Sequence, residues 1–157
     1  TKSVLPHMLN KGEGHIVNIS SIFGFIGVPT QSTYCAAKFA VRGFTESLTH
    51  ELEGSGVHST TVHPGGIKTN IAIYARHLLQ DGTSKDDMAA NFEKMARTTP
   101  DEAAEVILKG VRKNKKRVFI GLDAHIISRF VRWLPGLYFW VMGRGARQGQ
   151  KRIMGSN

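Results

Sequence analysis

In residues 15–63, the hydrophobic pattern is first typical of a β-strand, then of an α-helix, and then of a β-strand again. The segment His15–Ser20 is short, β-branched and apolar, which predicts a strand of a buried sheet. From Ser32 to Leu52, apolar residues recur at spacings of three and four, which predicts one long amphipathic helix. Val57–His63 is again short and β-branched, and a proline and two glycines follow it. The order strand, helix, strand predicts a βαβ unit with parallel strands.

The ends of the two predicted strands carry the residues of most chemical interest. Ser20 and Ser21 follow the first strand, and Pro64–Gly66 follow the second. Open α/β sheets bind ligands at the carboxyl ends of their strands. We therefore expect the site at this edge of the sheet.

The remaining sequence predicts further elements from less regular patterns. Ile67 to Gln80 is predicted to be a helix or a lid. Pro100 and the two acidic residues after it are typical of a helix start, and this helix is expected to run to about Lys113. Arg117–Gly121 predicts a third short strand.

The tail from Ala124 to Met142 is rich in Ile, Phe, Trp, Leu and Val, and Pro135–Gly136 interrupts it. Two interpretations are open for this segment. It has the aromatic residues and flanking arginines of an interfacial membrane helix. We favour the other interpretation, a carboxy-terminal helix that covers a substrate pocket or a subunit contact, because its aromatic side chains would be unusual if exposed to water.

Composition limits the class of protein. The chain has 157 residues, of which 41% are hydrophobic, and can bury a core. It has no run of 18 apolar residues and no secretory pattern at its amino terminus, so a cytoplasmic protein is expected. The single cysteine, Cys35, excludes an internal disulfide. The seven histidines lack the spacing of zinc ligands, so no metal is expected.

The formal net charge of +9 opens a second functional hypothesis. Lys109–Arg117 is dense in Lys and Arg, and the aromatic tail follows it. Together they are compatible with a non-catalytic basic module that binds an anionic membrane surface or nucleic acid. The same cluster also fits the solvated end of a helix, whose carbonyl groups favour cations.

Tyr34 and Lys38 form a candidate general acid/base pair. They are four residues apart on the predicted helix, so they lie on one face, one turn from each other. A fixed ammonium stabilises a nearby phenolate, which lets the phenol exchange protons near neutral pH. Ser21, thirteen residues before Tyr34, could donate a hydrogen bond to a carbonyl oxygen that becomes an alkoxide.

Three motifs in register resemble the short-chain dehydrogenases/reductases: Asn-Ile-Ser-Ser ending at Ser21, Tyr-Cys-Ala-Ala-Lys ending at Lys38, and His-Pro-Gly-Gly-Ile-Lys-Thr ending at Thr69. The resemblance extends over roughly residues 1–121. It implies a Rossmann-like α/β fold with a doubly wound parallel sheet, present as its second half. Residues 1–122 would be the catalytic half, and residues 123–157 a helical, basic and aromatic extension of the same domain.

The resemblance also implies a function and a role for each site residue. The protein would be an oxidoreductase that transfers a hydride between NAD or NADP and a secondary alcohol or carbonyl compound. Tyr34 would pass the proton to or from the substrate oxygen, and Ser21 would orient that oxygen. Lys38 would stabilise the phenolate of Tyr34 and hydrogen-bond the nicotinamide ribose, and the backbone of Ile67 would read the carboxamide. The residues implied to lie along the nicotinamide are Pro64, Gly65, Ile67 and Thr69.

Two elements of the family pattern are not found in this sequence: the Gly-rich phosphate-binding turn and the Asn-Asn-Ala-Gly signature. The catalytic Asn of the family would lie just before Thr1. We therefore expect a truncated chain whose independent cofactor binding and activity are open. At full length a homo-oligomer is expected.

The substrate is expected to be a small molecule that contacts two loops, Ile22–Gln31 and Ile67–Gln80. Apolar side chains in these loops suggest an apolar alcohol or carbonyl compound, although the same side chains could instead pack the lid. They are Phe23, Phe25, Ile26 and Ile73. No nucleic-acid partner is expected, whereas a peripheral membrane contact through residues 124–142 is open.

Overall fold

The computed structural model describes residues 1–29, 31–69 and 96–154 of the chain. Within these residues five α-helices and three β-strands alternate, with a short 3₁₀ helix, Ile22–Gly24, after the first strand. The elements are α1 (Leu5–Lys11), β1 (Gly14–Ile19), α2 (Ser32–Glu51), β2 (Val57–Pro64), α3 (Pro100–Arg112), β3 (Arg117–Ile120), α4 (Leu122–Trp133) and α5 (Pro135–Met154).

The three strands form one parallel sheet in the order β1-β2-β3. Ile16 lies opposite Ser59, and Val62 lies opposite Val118. Helix α2 connects the first pair of strands, which confirms the predicted βαβ unit. The strand and helix boundaries predicted from the hydrophobic pattern agree with the structure to within about two residues.

Helices cover both faces of the sheet. On one face, Ile16 and Val57 pack against Leu48 and Leu52 from α2 and its carboxyl end, and α1 adds to this cluster. On the other face, residues of β2 and β3 pack against Ala103 of α3. Because β2 is central, nearly all of its side chains are buried. This layering confirms the predicted Rossmann-like, doubly wound arrangement.

Helix α3 begins where its sequence signals predict. The Thr99 hydroxyl accepts a hydrogen bond from the Glu102 amide, and the Glu102 carboxylate accepts one from the Thr99 amide. Pro100 occupies the first turn, where a missing N–H costs nothing. These two reciprocal bonds fix the helix start.

The aromatic tail forms α4 and α5, which are separated at Pro135 as predicted. Tyr138 attaches α5 to the loop after β1, because its hydroxyl accepts a hydrogen bond from the Gly27 amide and donates one to the Gly27 carbonyl. No helix among the described residues is long and apolar enough to cross a membrane. The helix or lid predicted for residues 67–80 falls mostly outside the described residues.

Candidate active site

Two adjacent serines at the end of β1 have different environments. The Ser20 hydroxyl is buried and donates to the backbone carbonyl of Lys38 at 2.8 Å. Ser21 caps the 3₁₀ helix, and its Oγ accepts a hydrogen bond from the Phe23 amide at 3.1 Å. Because that bond uses only a lone pair of Ser21, its hydroxyl proton remains available for another acceptor. The geometry therefore agrees with Ser21, and not Ser20, as the candidate donor.

Tyr34 and Lys38 lie in the first two turns of α2, next to the end of β1. The Lys38 ammonium is 5.4 Å from the centre of the Tyr34 ring. It also donates a hydrogen bond to the Ile19 carbonyl at 3.3 Å, which limits its freedom. Tyr34 keeps 37% of its surface exposed, so the residue is accessible from solvent. A partly open phenol beside a tethered cation is suited to proton transfer.

Contacts between side chains bring the serine, the tyrosine and the end of β2 to the same edge of the sheet. The Phe23 ring, two residues beyond Ser21, meets the Tyr34 ring edge-on with centroids 5.9 Å apart. The imidazole Nδ1 of His63 lies 3.2 Å from the Ser21 carbonyl oxygen. His63 lies two residues before Gly65, the first residue of the glycine turn. This bond therefore connects the end of β2, just before that turn, to Ser21.

The glycine turn after β2, formed by Gly65 and Gly66, contacts the carboxylate of Asp123. The amide of Gly66 donates to the Asp123 carboxylate at 3.0 Å, and the amide of Gly65 donates to the Ile120 carbonyl at 2.9 Å. A β-carbon at Gly65 would collide with the Asp123 carboxylate, so a larger residue here would displace that side chain from the Gly66 amide.

The backbone amide and carbonyl of Ile67, just after the glycine turn, point away from Thr98, the residue with which Ile67 pairs. Ile67 forms a parallel bridge with Thr98 in which the hydrogen bonds use the Gly66 carbonyl and the Lys68 amide. The amide and carbonyl of Ile67 therefore point to the opposite side. Thr69 is exposed.

His63 is fully buried in an aromatic cluster. Its ring stacks on Phe119 at 5.2 Å and meets Phe25 edge-on at 4.6 Å. Burial lowers the pKa of His63 from 6.5 to about 4, because the charged imidazolium would lose its hydration, and the positive charges of Arg42 and Arg117 add to this effect. The hydrogen bond to Ser21 opposes the shift. Near neutral pH the ring is therefore uncharged, and its hydrogen bond to the Ser21 carbonyl connects β2 to the loop after β1.

The apolar residues predicted to contact substrate lie in different environments in the structure. Phe23 borders Tyr34 and remains a candidate. Phe25 is half-buried, and its ring packs against His63 on one side and lies 3.9 Å from the Arg42 guanidinium on the other, so its contact with substrate stays a prediction. Ile26 is buried. Ile73 lies outside the described residues.

Sequence reasoning missed two residues of this site, Asp123 and His63, as supports of the turn. Asp123 lies 57 residues from Gly66 along the chain, in the first turn of α4, and no motif in the sequence connects the two. No cluster of three or more metal-ligating side chains occurs in the part of the chain that the structure describes.

Residues 1–79 match the short chain dehydrogenase family, and the chain belongs to that family. It is 45% identical over 148 residues to a protein named as an oxidoreductase, SadH, of Mycobacterium tuberculosis, and this match covers 92% of the chain and 53% of that protein. The family predicted from the three motifs is thereby confirmed.

Solved structures support the fold. A short-chain dehydrogenase/reductase from Burkholderia phymatum in complex with NAD has a TM-score of 0.70 and 23% identity, and the match covers 87% of this chain and 53% of that one. A short-chain dehydrogenase from Burkholderia cenocepacia in complex with NADP also has a TM-score of 0.70, with 20% identity, covering 90% and 52%. The chain spans about half the length of the curated relatives it matches.

Proposed function

We propose that the protein transfers a hydride between NAD or NADP and a secondary alcohol or carbonyl compound, with Tyr34, Lys38 and Ser21 as its catalytic residues. The observation that carries this proposal is the position of the Lys38 ammonium, which lies beside the Tyr34 ring and is tethered to the end of β1. Membership of the short chain dehydrogenase family supports the reaction class.

The residues have distinct tasks in the proposed reaction. NAD(P) supplies or accepts the hydride when it is bound. Tyr34 gives a proton to the substrate oxygen during reduction and removes it during oxidation. Ser21 donates its free hydroxyl proton to the same oxygen, which stabilises the developing alkoxide. Lys38 would stabilise the phenolate and, with the cofactor bound, would hydrogen-bond the nicotinamide ribose.

The chain offers a fitting cradle for the nicotinamide end of the cofactor. The amide and carbonyl of Ile67, which the pairing with Thr98 does not use, match a carboxamide in hydrogen-bonding capacity. Pro64 and Thr69 flank these groups along the chain. The cofactor class agrees with the NAD and NADP bound in the two Burkholderia proteins.

The substrate class is proposed from the side chain nearest the phenol. Phe23 lies against Tyr34 and would contact whatever binds there, which favours a substrate with an apolar group next to its carbonyl carbon. The proposal does not include Phe25, whose ring packs against His63, or Ile26, which is buried.

The two adjacent serines allow a matched test on the protein at its natural length. Ketones with apolar substituents are incubated with NADH or NADPH, and oxidation of the cofactor is followed by absorbance. We expect Ser21→Ala to lower kcat by roughly 10²- to 10³-fold, the usual effect of losing one donor to an oxyanion. Ser20→Ala removes a buried structural bond and should mainly lower stability. Equal kcat values for the two variants would contradict the role of Ser21.

A further inference from the structure

The solvent-facing side of α4 exposes three large apolar side chains among polar and charged ones. Leu122, Ile126 and Trp133 recur at helical spacing and expose 75%, 58% and 76% of their surface. The opposite side of α4 already packs on the protein, with Ala124 fully buried. A helix normally turns its apolar stripe to the core and its polar side to water, so this outer stripe has no partner within the described residues.

Helix α5 also carries exposed apolar side chains. Leu137, Phe139, Trp140 and Val141 are exposed, and the Arg144 guanidinium lies 3.9 Å from the Trp140 ring. We call the seven exposed large apolar residues of the two helices the hairpin surface. They are Leu122, Ile126, Trp133, Leu137, Phe139, Trp140 and Val141.

The charge around the hairpin surface is mainly positive. Among the described side chains of residues 122–144 there are three arginines, Arg129, Arg132 and Arg144, and one acidic residue, Asp123, whose carboxylate accepts a hydrogen bond from the Gly66 amide. Arg129 and Arg132 lie on α4 itself and line a cleft with Lys109 and Lys115. An occupant of this surface must therefore bring apolar material and negative charge together.

We propose that the hairpin surface docks on an anionic lipid bilayer. The aromatic side chains would enter the boundary between headgroups and acyl chains, and the arginines would pair with lipid phosphate and carboxylate groups. Helices that lie in a membrane interface combine Trp, Phe and Leu on one side with Lys and Arg around them. The surface contains none of the proposed catalytic residues, so this proposal stands independently of the reaction.

Other occupants fit the surface less well. A second copy of the same surface would place like charges against one another, which costs free energy. A polynucleotide would pair with the cations but would leave the aliphatic Leu122 and Ile126 without a partner, since bases stack on aromatic rings. A bilayer satisfies both the charges and the aliphatic side chains.

Docking would also orient the candidate active site. Tyr138 lies in the same helix as the hairpin surface, and its hydroxyl bonds to both backbone groups of Gly27 in the loop after β1. That loop contains Phe23, which borders Tyr34. A bound membrane would therefore lie near the proposed substrate loop.

Vesicle flotation of the protein at its natural length tests the proposal. We expect the protein to float with vesicles of phosphatidylcholine mixed with phosphatidylserine, to remain in solution with phosphatidylcholine alone, and to dissociate as salt is raised. Trp133→Ser should weaken vesicle binding roughly tenfold. Arg129→Gln should weaken it about fivefold and reduce its dependence on salt.

Phe44→Ser is the control for Trp133→Ser, because Phe44 on α2 is also an exposed aromatic residue, at 53% against 76% for Trp133, but lies outside the hairpin surface. It should float as the unchanged protein does. Equal flotation with neutral and anionic vesicles, or unchanged flotation of Trp133→Ser, would overturn the proposal. A dimer that forms without lipid and separates in Trp133→Ser would also overturn it, as would binding of a polynucleotide that remains unaffected by anionic vesicles.

Discussion

Acidification is expected to destabilise the fold through one buried side chain, His63. The folded protein holds this imidazole neutral, since burial lowers its pKa from 6.5 to about 4. In the unfolded chain the pKa returns to the ordinary value. As pH falls, the unfolded state therefore binds the proton first. The stabilisation is complete above about pH 6.5 and is lost as pH approaches 4.

The size of this effect follows from the difference between the two pKa values. Each unit corresponds to about 1.4 kcal/mol, so the free energy of unfolding should fall by roughly 3 kcal/mol across this window. The structure supplies the reason. The Nε2 atom of His63 has no hydrogen-bond partner among the described residues, so a proton placed there would add a charge between two aromatic rings.

Urea unfolding at a series of pH values measures the effect, with His63→Phe as the comparison. Phenylalanine cannot titrate, and it retains the aromatic contacts with Phe25 and Phe119, although it loses the bond to Ser21. Other titrating groups are present in both proteins and cancel in the difference. Parallel pH profiles for the two proteins would refute the assignment of this acid sensitivity to His63.

Three further substitutions test other contacts. Asp123→Ala removes the acceptor beneath the Gly66 amide and should raise the KM for the cofactor several-fold with a smaller change in kcat, measured by steady-state kinetics. Gly110→Ala would push a methyl group into Val118 and should lower the free energy of unfolding by about 1 to 2 kcal/mol in urea, whereas an unchanged midpoint would show that Val118 moves aside. Tyr138→Phe loses two hydrogen bonds and should cost about 2 kcal/mol, with faster amide hydrogen exchange in the loop after β1 as a second readout.

The sequence predicted the elements whose signals are local. The β-branched runs before Ser20 and Pro64, and the helical spacing between Ser32 and Leu52, depend only on neighbouring residues and their burial. Helix α3 was predicted for the same reason, because its capping residues are adjacent in sequence. These parts of the fold needed no knowledge of distant contacts.

The orientation of side chains between distant segments could not be predicted in the same way. Phe25 lies in the expected substrate loop, but the loop turns its ring towards His63 and Arg42. Asp123 supports a turn 57 residues earlier through a contact that no spacing rule encodes. Both depend on how helices cross the sheet, which the local pattern leaves open.

The resemblance to a known family supplied what local patterns could not. Tyr34 and Lys38 at a spacing of four occur by chance in many helices, and only their register with Ser21 and the glycine turn made them a candidate site. The structure adds that the Lys38 ammonium is tethered to the Ile19 carbonyl beside the Tyr34 ring, which gives the pair a fixed geometry.

The most direct test of the proposed chemistry is the turnover of Tyr34→Phe, measured with the protein at its natural length and a carbonyl substrate that the unchanged protein reduces. Binding of NADH or NADPH, followed by fluorescence, serves as the control for folding. We predict that kcat falls by about 10²- to 10⁴-fold while the affinity for the cofactor changes little, because the variant loses only the proton donor. Undiminished kcat in Tyr34→Phe would contradict the assignment of the phenol as the acid/base.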